Sequence, residues 1–367
     1  MTTLPPDQRE MSVPVSGMPA TVLVTGGAGY IGSVLVRRLL GQGYRVRVVD
    51  RLLYGDAGIR DLRGHRNLEL LVADFRDSTT VAAAVQGVDS VVHLGAIVGD
   101  PACALDEAFS VETNLDATRT IAEACAAQKV GRVVFASTCS VYGASDEPLD
   151  ENSALNPLSL YARTKIGSER LLLDQQHDGC PAVVLRFATA FGPSPRPRFD
   201  LVVNLLTAKA VGGGPITIYG GDQWRPFVHT DDIARAVVMA MEAPLDIVNG
   251  QVLNVGSTAE NYRLSELGEI IHELVPEVEL QIDHYAVDQR NYYVRFDRVR
   301  EILGFEPIYS LRDGIRELRN ALLRGDIVDY RAPDHDNHRC LGAQQGTGIG
   351  PFGQDGLTTT PLPVSAA

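Results

Sequence analysis

The segment ATVLVTGGAGYIGSVLVRRLLGQGYRVRVVD, residues 20–50, constrains the fold of this chain more than any other stretch. A β-branched apolar run leads into a glycine cluster, then into apolar residues spaced three and four apart, then into a second β-branched run. That is the sequence form of strand, tight turn, helix and strand. Strands joined through a helix run parallel, and a parallel sheet needs both faces covered. The glycines fall at Gly26, Gly29 and Gly32, spaced three and three where the commoner dinucleotide fingerprint has two and three. The physical requirement is the same: without Cβ atoms in the way, backbone N–H groups and a helix N-terminus can approach a pyrophosphate. Gly26, Gly29, Tyr30 and Ile31 are therefore read as cofactor-binding.

The alternation continues through LELLVADF, a short helix near 78–86, DSVVHLGA, a long helix from about 104 to 127, GRVVFAS, the helix carrying YARTK, and PAVVLRF. Six or seven apolar strands interleaved with helices imply an α/β fold, a Rossmann-like doubly wound parallel sheet. After Phe187 the rhythm breaks at the proline-rich GPSPRPR, which marks the start of a smaller, partly discontinuous α/β substrate lobe. The expected organisation is a flexible N-terminal arm over 1–20 and a dinucleotide-binding domain over 21–186 with a return near 226–256. A substrate lobe takes 187–225 and 257–330, and a flexible tail rich in Gly, Pro and Thr takes 331–367.

With 367 residues, 45% of them hydrophobic, the chain can bury a large core, which excludes general disorder. Its formal charge of −13 repels polyanions, so no nucleic-acid partner is expected and an anionic ligand must meet a local cluster of donors. Cys103, Cys125, Cys139, Cys180 and Cys340 lack the paired short spacings of a zinc site or a disulfide framework. They read as reduced thiols, with no metal. The first twenty residues carry Pro5, Pro6, Pro14 and Pro19 and no apolar run of signal-peptide length, and nowhere do eighteen apolar residues follow one another. A soluble, cytoplasmic protein without a membrane partner is expected.

Asp50 ends the second strand, where a carboxylate can accept from both ribose hydroxyls and repel a 2′-phosphate, favouring NAD; the neighbouring Arg51 keeps NADP open. Asp74, with Phe75 beside it, is placed at a strand end to meet an adenine amino group, and Asp77 suits a helix cap. At the other end of the crevice, Tyr161 and Lys165 stand four apart on one helix face. A nearby ammonium favours phenolate, which would bring the phenol down from about 10 towards working pH as a general base. Thr138 follows the strand RVVFAS at the carboxyl edge of the sheet, where its hydroxyl can position a substrate oxygen.

Taken together, TGGAGYIG, ADFRD, HLGA, ASTCSVYG, YARTK and QWRPFVHTDDIA resemble the extended short-chain dehydrogenase/reductase family, in its nucleotide-sugar epimerase/dehydratase branch, over about residues 21–325. The resemblance implies that Thr138, Tyr161 and Lys165 are catalytic, that Tyr161 and Lys165 also bind NAD, and that Leu94, Ala96 and Asn114 line the cofactor. Gly95 and Ala117 depart from the usual Ala and Gly there. It also implies a nucleoside-diphosphate sugar as substrate, transient oxidation of a secondary alcohol to a 4-keto sugar, and a homodimer through the helices near 104–127 and 157–176. Dehydratases of the branch carry Asp and Glu directly after the Thr; this chain has Cys139 and Ser140. Small neutral residues suit epimerisation. Dehydration with Cys139 as an unusual acid, or a net oxidoreductase, stays open.

Diphosphate recognition calls for guanidinium groups, whose planar fork grips two oxygens. Arg186, Arg225 and Arg290 occur where the family holds the nucleotide, with a bracing role open for Arg186. Thr189 stands where the family pattern has Asn, and with Cys139 and Ser140 completes the expected substrate contacts. Trp224 and Tyr219 suit either stacking on a base or packing between lobes.

Overall fold

The computed structural model describes residues 20–174, 179–283 and 290–347, so the N-terminal arm and the last twenty residues lie outside the described residues. Seven parallel strands stand in the order Val252–Val255, Ala182–Phe187, Arg132–Thr138, Ser90–His93, Thr21–Thr25, Arg45–Asp50 and Leu68–Val72. The chain leaves the strand Thr21–Thr25 in one direction and later resumes on its other side at Ser90–His93. That reversal opens a crevice at the carboxyl ends of the strands. The two-residue period of Thr21–Thr25 sends Val22 and Val24 to one face and Leu23 to the other, each into a separate buried cluster. Val36 and Leu39 of the glycine-turn helix Tyr30–Gly41, with Ile233 and Val237 of Thr230–Glu242, cover the first face. Val81 of Ser78–Ala84 and Ile121 of Ala117–Ala127 cover the second.

The long helix read near 104–127 is interrupted. Asp106 caps a new helical start by accepting from the Phe109 N–H, and a π-helical turn over Glu112–Asp116 precedes Ala117–Ala127. A third apolar cluster joins Phe191, Val203 and Phe227 to Leu267, Leu311 and Ile315 beneath two small sheets, one of three strands and one of two. Tyr30 ties this lobe to the glycine turn: its hydroxyl donates to the Gly192 carbonyl at 2.7 Å and accepts from Asn204 at 3.0 Å.

The segment from Arg331, read as a flexible tail, differs as far as residue 347. It makes a short turn at Pro333–His335 and a helix, Asn337–Thr347. Local sequence gave little sign of this because the helix has no apolar stripe and is held by polar contacts. Gln344 donates to the Leu53 carbonyl at 2.6 Å, and Leu341 is buried beside Ile97, Ala102 and Cys103. Among the described residues no helix is long and apolar enough to cross a membrane.

Candidate active site

The glycine turn is a cradle closed to side chains. Gly26 has φ +72°, and a Cβ there would come within 2.8 Å of the Gly95 backbone; at Gly32 it would come within 2.2 Å of the Gly26 carbonyl oxygen. Asp50 locks the cradle to the second strand, accepting from the Ala28 N–H at 2.9 Å and the Leu52 N–H at 2.8 Å. Its carboxyl faces the crevice, and burial pushes its pKa up. Phe75, Leu94 and Ala96 line the same cavity. So does Asp74, held by Arg76 at 2.8 Å and by Arg51 at 3.3 Å, with both guanidinium groups near the Phe109 ring. Arg51 is thereby engaged with a carboxylate. Asp77 caps the next helix through the Thr79 and Thr80 N–H groups.

Tyr161 and Lys165 line the other end of the crevice, and Thr138 neighbours the Tyr161 phenol. The strand Arg132–Thr138 ends at Thr138, whose hydroxyl accepts from the Ser140 N–H at 3.1 Å and so starts the turn Cys139–Tyr142. Lys165 is buried, donates to the Ala136 carbonyl at 2.8 Å, and sits 5.9 Å from the Tyr161 ring centre. Burial lowers its pKa to about 8. The phenol of Tyr161 departs from the sequence expectation. Burial is the largest effect and pushes it up, Cys103 adds to this, and Arg198 and the hydrogen bond with Thr138 oppose it. The protein alone therefore keeps the phenol protonated, because burial outweighs the opposing Arg198 charge and Thr138 hydroxyl.

Residues 22–256 match the family model described as the NAD dependent epimerase/dehydratase family. The chain belongs to the NAD-dependent epimerase/dehydratase family. It is 31% identical over 311 residues to the uncharacterized UDP-glucose epimerase YtcB of Bacillus subtilis (strain 168), covering 80% of this chain and 95% of that protein. It is 31% identical over 319 residues to a dTDP-glucose 4,6-dehydratase of Streptomyces niveus, covering 81% and 90%. Among solved structures, UDP-glucuronic acid 4-epimerase from Bacillus cereus, in complex with UDP-glucuronic acid and NAD, superposes with a TM-score of 0.75 at 27% identity, over 83% of this chain and 99% of that one.

The crevice fits the family's dinucleotide on its own evidence. Among the described residues, four buried polar atoms of its lining have no protein partner: Tyr54 Oη, Thr113 Oγ1, Arg196 Nε and Asn337 Oδ1. Native interiors rarely leave such atoms unpaired, so a polar ligand completes them. Sequence reading missed all four. For Arg196 and its neighbour Arg198 a signal existed: two guanidinium groups in the proline-stiffened SPRPRF loop of an acidic chain. Arg198 is paired with Asp200 at 2.6 Å. Arg196 makes no ion pair among the described residues and lies 4.4 Å over the Tyr54 ring, its pKa lowered to about 10 by burial and by Arg198.

The assignments of Asn114, Cys139 and Arg186 are corrected. Asn114 is spent holding a loop, accepting from the Ile97 N–H at 2.7 Å and donating to the Ile97 carbonyl at 2.9 Å; Thr113, one residue earlier on the π-helical turn, faces the crevice instead. Cys139 is buried with its thiol on the Arg186 carbonyl at 3.4 Å, and burial pushes its pKa up, so it offers neither a substrate contact nor a usable acid. Arg186 is no diphosphate ligand. It makes a buried bidentate pair with Glu169 at 3.0 and 2.7 Å and donates to Tyr142 at 3.0 Å. Arg225 is also buried; it donates to the Trp224 and Arg290 carbonyls and lies 5.1 Å over Tyr292. Arg290 is half exposed and reaches Asp100 at 3.6 Å. Ser140 accepts from the Thr138 hydroxyl at 3.1 Å, and Thr189 begins a strand paired with Trp224–His229. Trp224 packs edge-on against Tyr293, whereas Tyr219 is exposed.

Proposed function

We propose that this protein is an NAD-dependent nucleotide-sugar epimerase that works through a transient 4-keto sugar. The observation that carries the reading is that Tyr161, with the Thr138 hydroxyl beside its phenol, and Lys165 line a crevice whose far end is a glycine cradle held by Asp50. Bound NAD⁺ supplies a reversible two-electron acceptor. Thr138 orients the sugar hydroxyl and Tyr161 takes its proton, then returns it once the keto sugar has turned over. Lys165 fixes the floor of the site through Ala136 and lends positive charge to the developing phenolate. Arg225 and Arg290, joined through the Arg290 carbonyl, are proposed to meet the diphosphate side of the substrate.

The two residues after Thr138 favour epimerisation over elimination. Expelling a hydroxyl needs an acid and a base beside the sugar, and the chain has a buried thiol turned towards Arg186 and a neutral Ser140 there. Incubation with a panel of nucleotide sugars in heavy water, read by mass spectrometry and nicotinamide absorbance, tests this. An epimer of unchanged mass with no net absorbance change is expected. Loss of about eighteen mass units, one water, would make the enzyme a dehydratase, and a steady absorbance change would make it a net oxidoreductase.

A cytoplasmic homodimer is part of the same reading. Five unpaired cysteines, four of them buried, suit a reducing compartment. Leu171 and Ala124, partly exposed on the helices Leu160–Asp174 and Ala117–Ala127, suit a helical interface. Sedimentation at the mass of a single chain would remove the dimer.

A further inference from the structure

We propose that Asn337, at the start of the C-terminal helix, is a further cofactor-binding residue, its carboxamide oxygen accepting a hydrogen bond from a ribose hydroxyl of the dinucleotide. The inference rests on the assignment of the crevice to NAD. Asn337 is 3% exposed and lines the cavity that Gly26, Gly29 and Asp50 also line. Its amide nitrogen donates to the Val98 carbonyl at 3.2 Å. That bond fixes the orientation of the carboxamide, because the reversed amide would set two acceptors against each other. Among the described residues the oxygen is left buried without a protein partner. A buried, unpartnered acceptor on a residue that lines a ligand cavity calls for a donor on the ligand, and hydroxyl groups are what a ribose or a sugar offers.

Position favours the cofactor over the sugar. The helix spans two loops, one following the strand Arg45–Asp50 and the other following Ser90–His93. Gln344 and Cys340 reach the Leu53 carbonyl at 2.6 and 3.5 Å, and Asn337 reaches Val98. These loops flank the strand that feeds the glycine turn, so the helix forms an outer wall of the cofactor crevice. In its first turn the Arg339 N–H donates to the Asp336 carboxylate at 2.9 Å and the Cys340 N–H to the Asp336 carbonyl at 2.9 Å. The same segment holds the substrate lobe, through Arg196 on the Asp334 carbonyl at 3.0 Å and the Phe199 N–H on the His335 carbonyl at 2.8 Å. A wall tied to both lobes keeps the dinucleotide in place between turnovers, which a reaction that returns its electrons requires.

The test uses the full-length protein stripped of nucleotide, with NAD⁺ and UDP titrated separately by calorimetry, and with N337A compared against Q344A, which loosens the same helix at a side chain that does not itself line the cavity. The expected result is a three- to tenfold weaker NAD⁺ affinity for N337A, the size of one lost hydrogen bond, with UDP affinity unchanged and Q344A close to wild type. Should N337A not fold, Asn337→Ser, which keeps a polar helix-starting side chain too short for the cavity, carries the same expectation. Unchanged NAD⁺ affinity overturns the proposal. So does an effect confined to UDP or a UDP-sugar, which assigns Asn337 to the substrate, and so does an equal loss in Q344A, which makes the role one of packing. A wild-type protein that binds no NAD⁺ at all would instead overturn the reading of the crevice.

Discussion

Lys165 donates its ammonium to the backbone carbonyl of Ala136 at 2.8 Å, inside a site where it is 3% exposed. One hydrogen bond does not replace the water it lost, and burial brings its pKa from 10.5 to about 8. Between those two values the unfolded chain holds a proton that the folded chain has released. Stability therefore rises with pH through that window, and the cost of the buried charge is fully present below about pH 8. At about 1.4 kcal/mol for each tenfold change in acidity, the effect amounts to about 3 kcal/mol. Lys165→Met should remove this slope: urea unfolding at pH 7 and pH 10 should show a rise for wild type that the variant lacks. A variant with the same rise would place the titrating group elsewhere.

Tyr161→Phe should lower turnover by at least about a hundredfold, the usual contribution of a positioned acid or base. NAD⁺ affinity should stay within about threefold, because the ring packing is kept and one hydrogen bond is the most that is lost. Burial raises the phenol in the protein alone, with Thr138 and Arg198 opposing it. Wild type should accordingly show a phenol that ionises at lower pH when NAD⁺ is bound than when it is absent, read by ultraviolet difference titration against Tyr161→Phe.

Arg186→Met separates a brace from a ligand. The Arg186 and Glu169 side chains are 5% and 3% exposed, and Ser137 also donates to Glu169. Removing the guanidinium leaves a buried carboxylate without its counterion, which costs about 3–5 kcal/mol. Chemical denaturation should show that loss while UDP affinity in the folded protein is unchanged. Weaker UDP binding at unaltered stability would restore Arg186 to the substrate site.

The parts of this fold that local sequence encodes were the parts that could be read. Strands such as Thr21–Thr25 announce themselves by β-branched runs, the cradle by Gly26, Gly29 and Gly32, and the Tyr161–Lys165 pair by helical spacing. What escaped depends on packing across long separations. Asn114 and Thr113 are neighbours with opposite duties, and only the π-helical turn at Glu112–Asp116 decides which one faces the crevice. Arg186 looks in sequence like a guanidinium group that binds phosphate, yet Glu169 claims it. Asn337 belongs to the crevice only because a polar helix folds back by more than two hundred residues to meet Val98.

Cys139 is where epimerase and dehydratase readings make opposite demands. An acid that expels a hydroxyl must face the sugar and give up a proton near neutral pH. The Cys139 thiol is 1% exposed, donates to the Arg186 carbonyl at 3.4 Å, and is held protonated by burial. Cys139→Ala should thus leave epimerisation within about threefold of wild type while costing about 1 kcal/mol for the small cavity it opens. Initial rates with the preferred nucleotide sugar and a urea titration check the two halves separately. A hundredfold loss of turnover at nearly unchanged stability would mean that the thiol takes part in the chemistry, and elimination would again become the leading reaction.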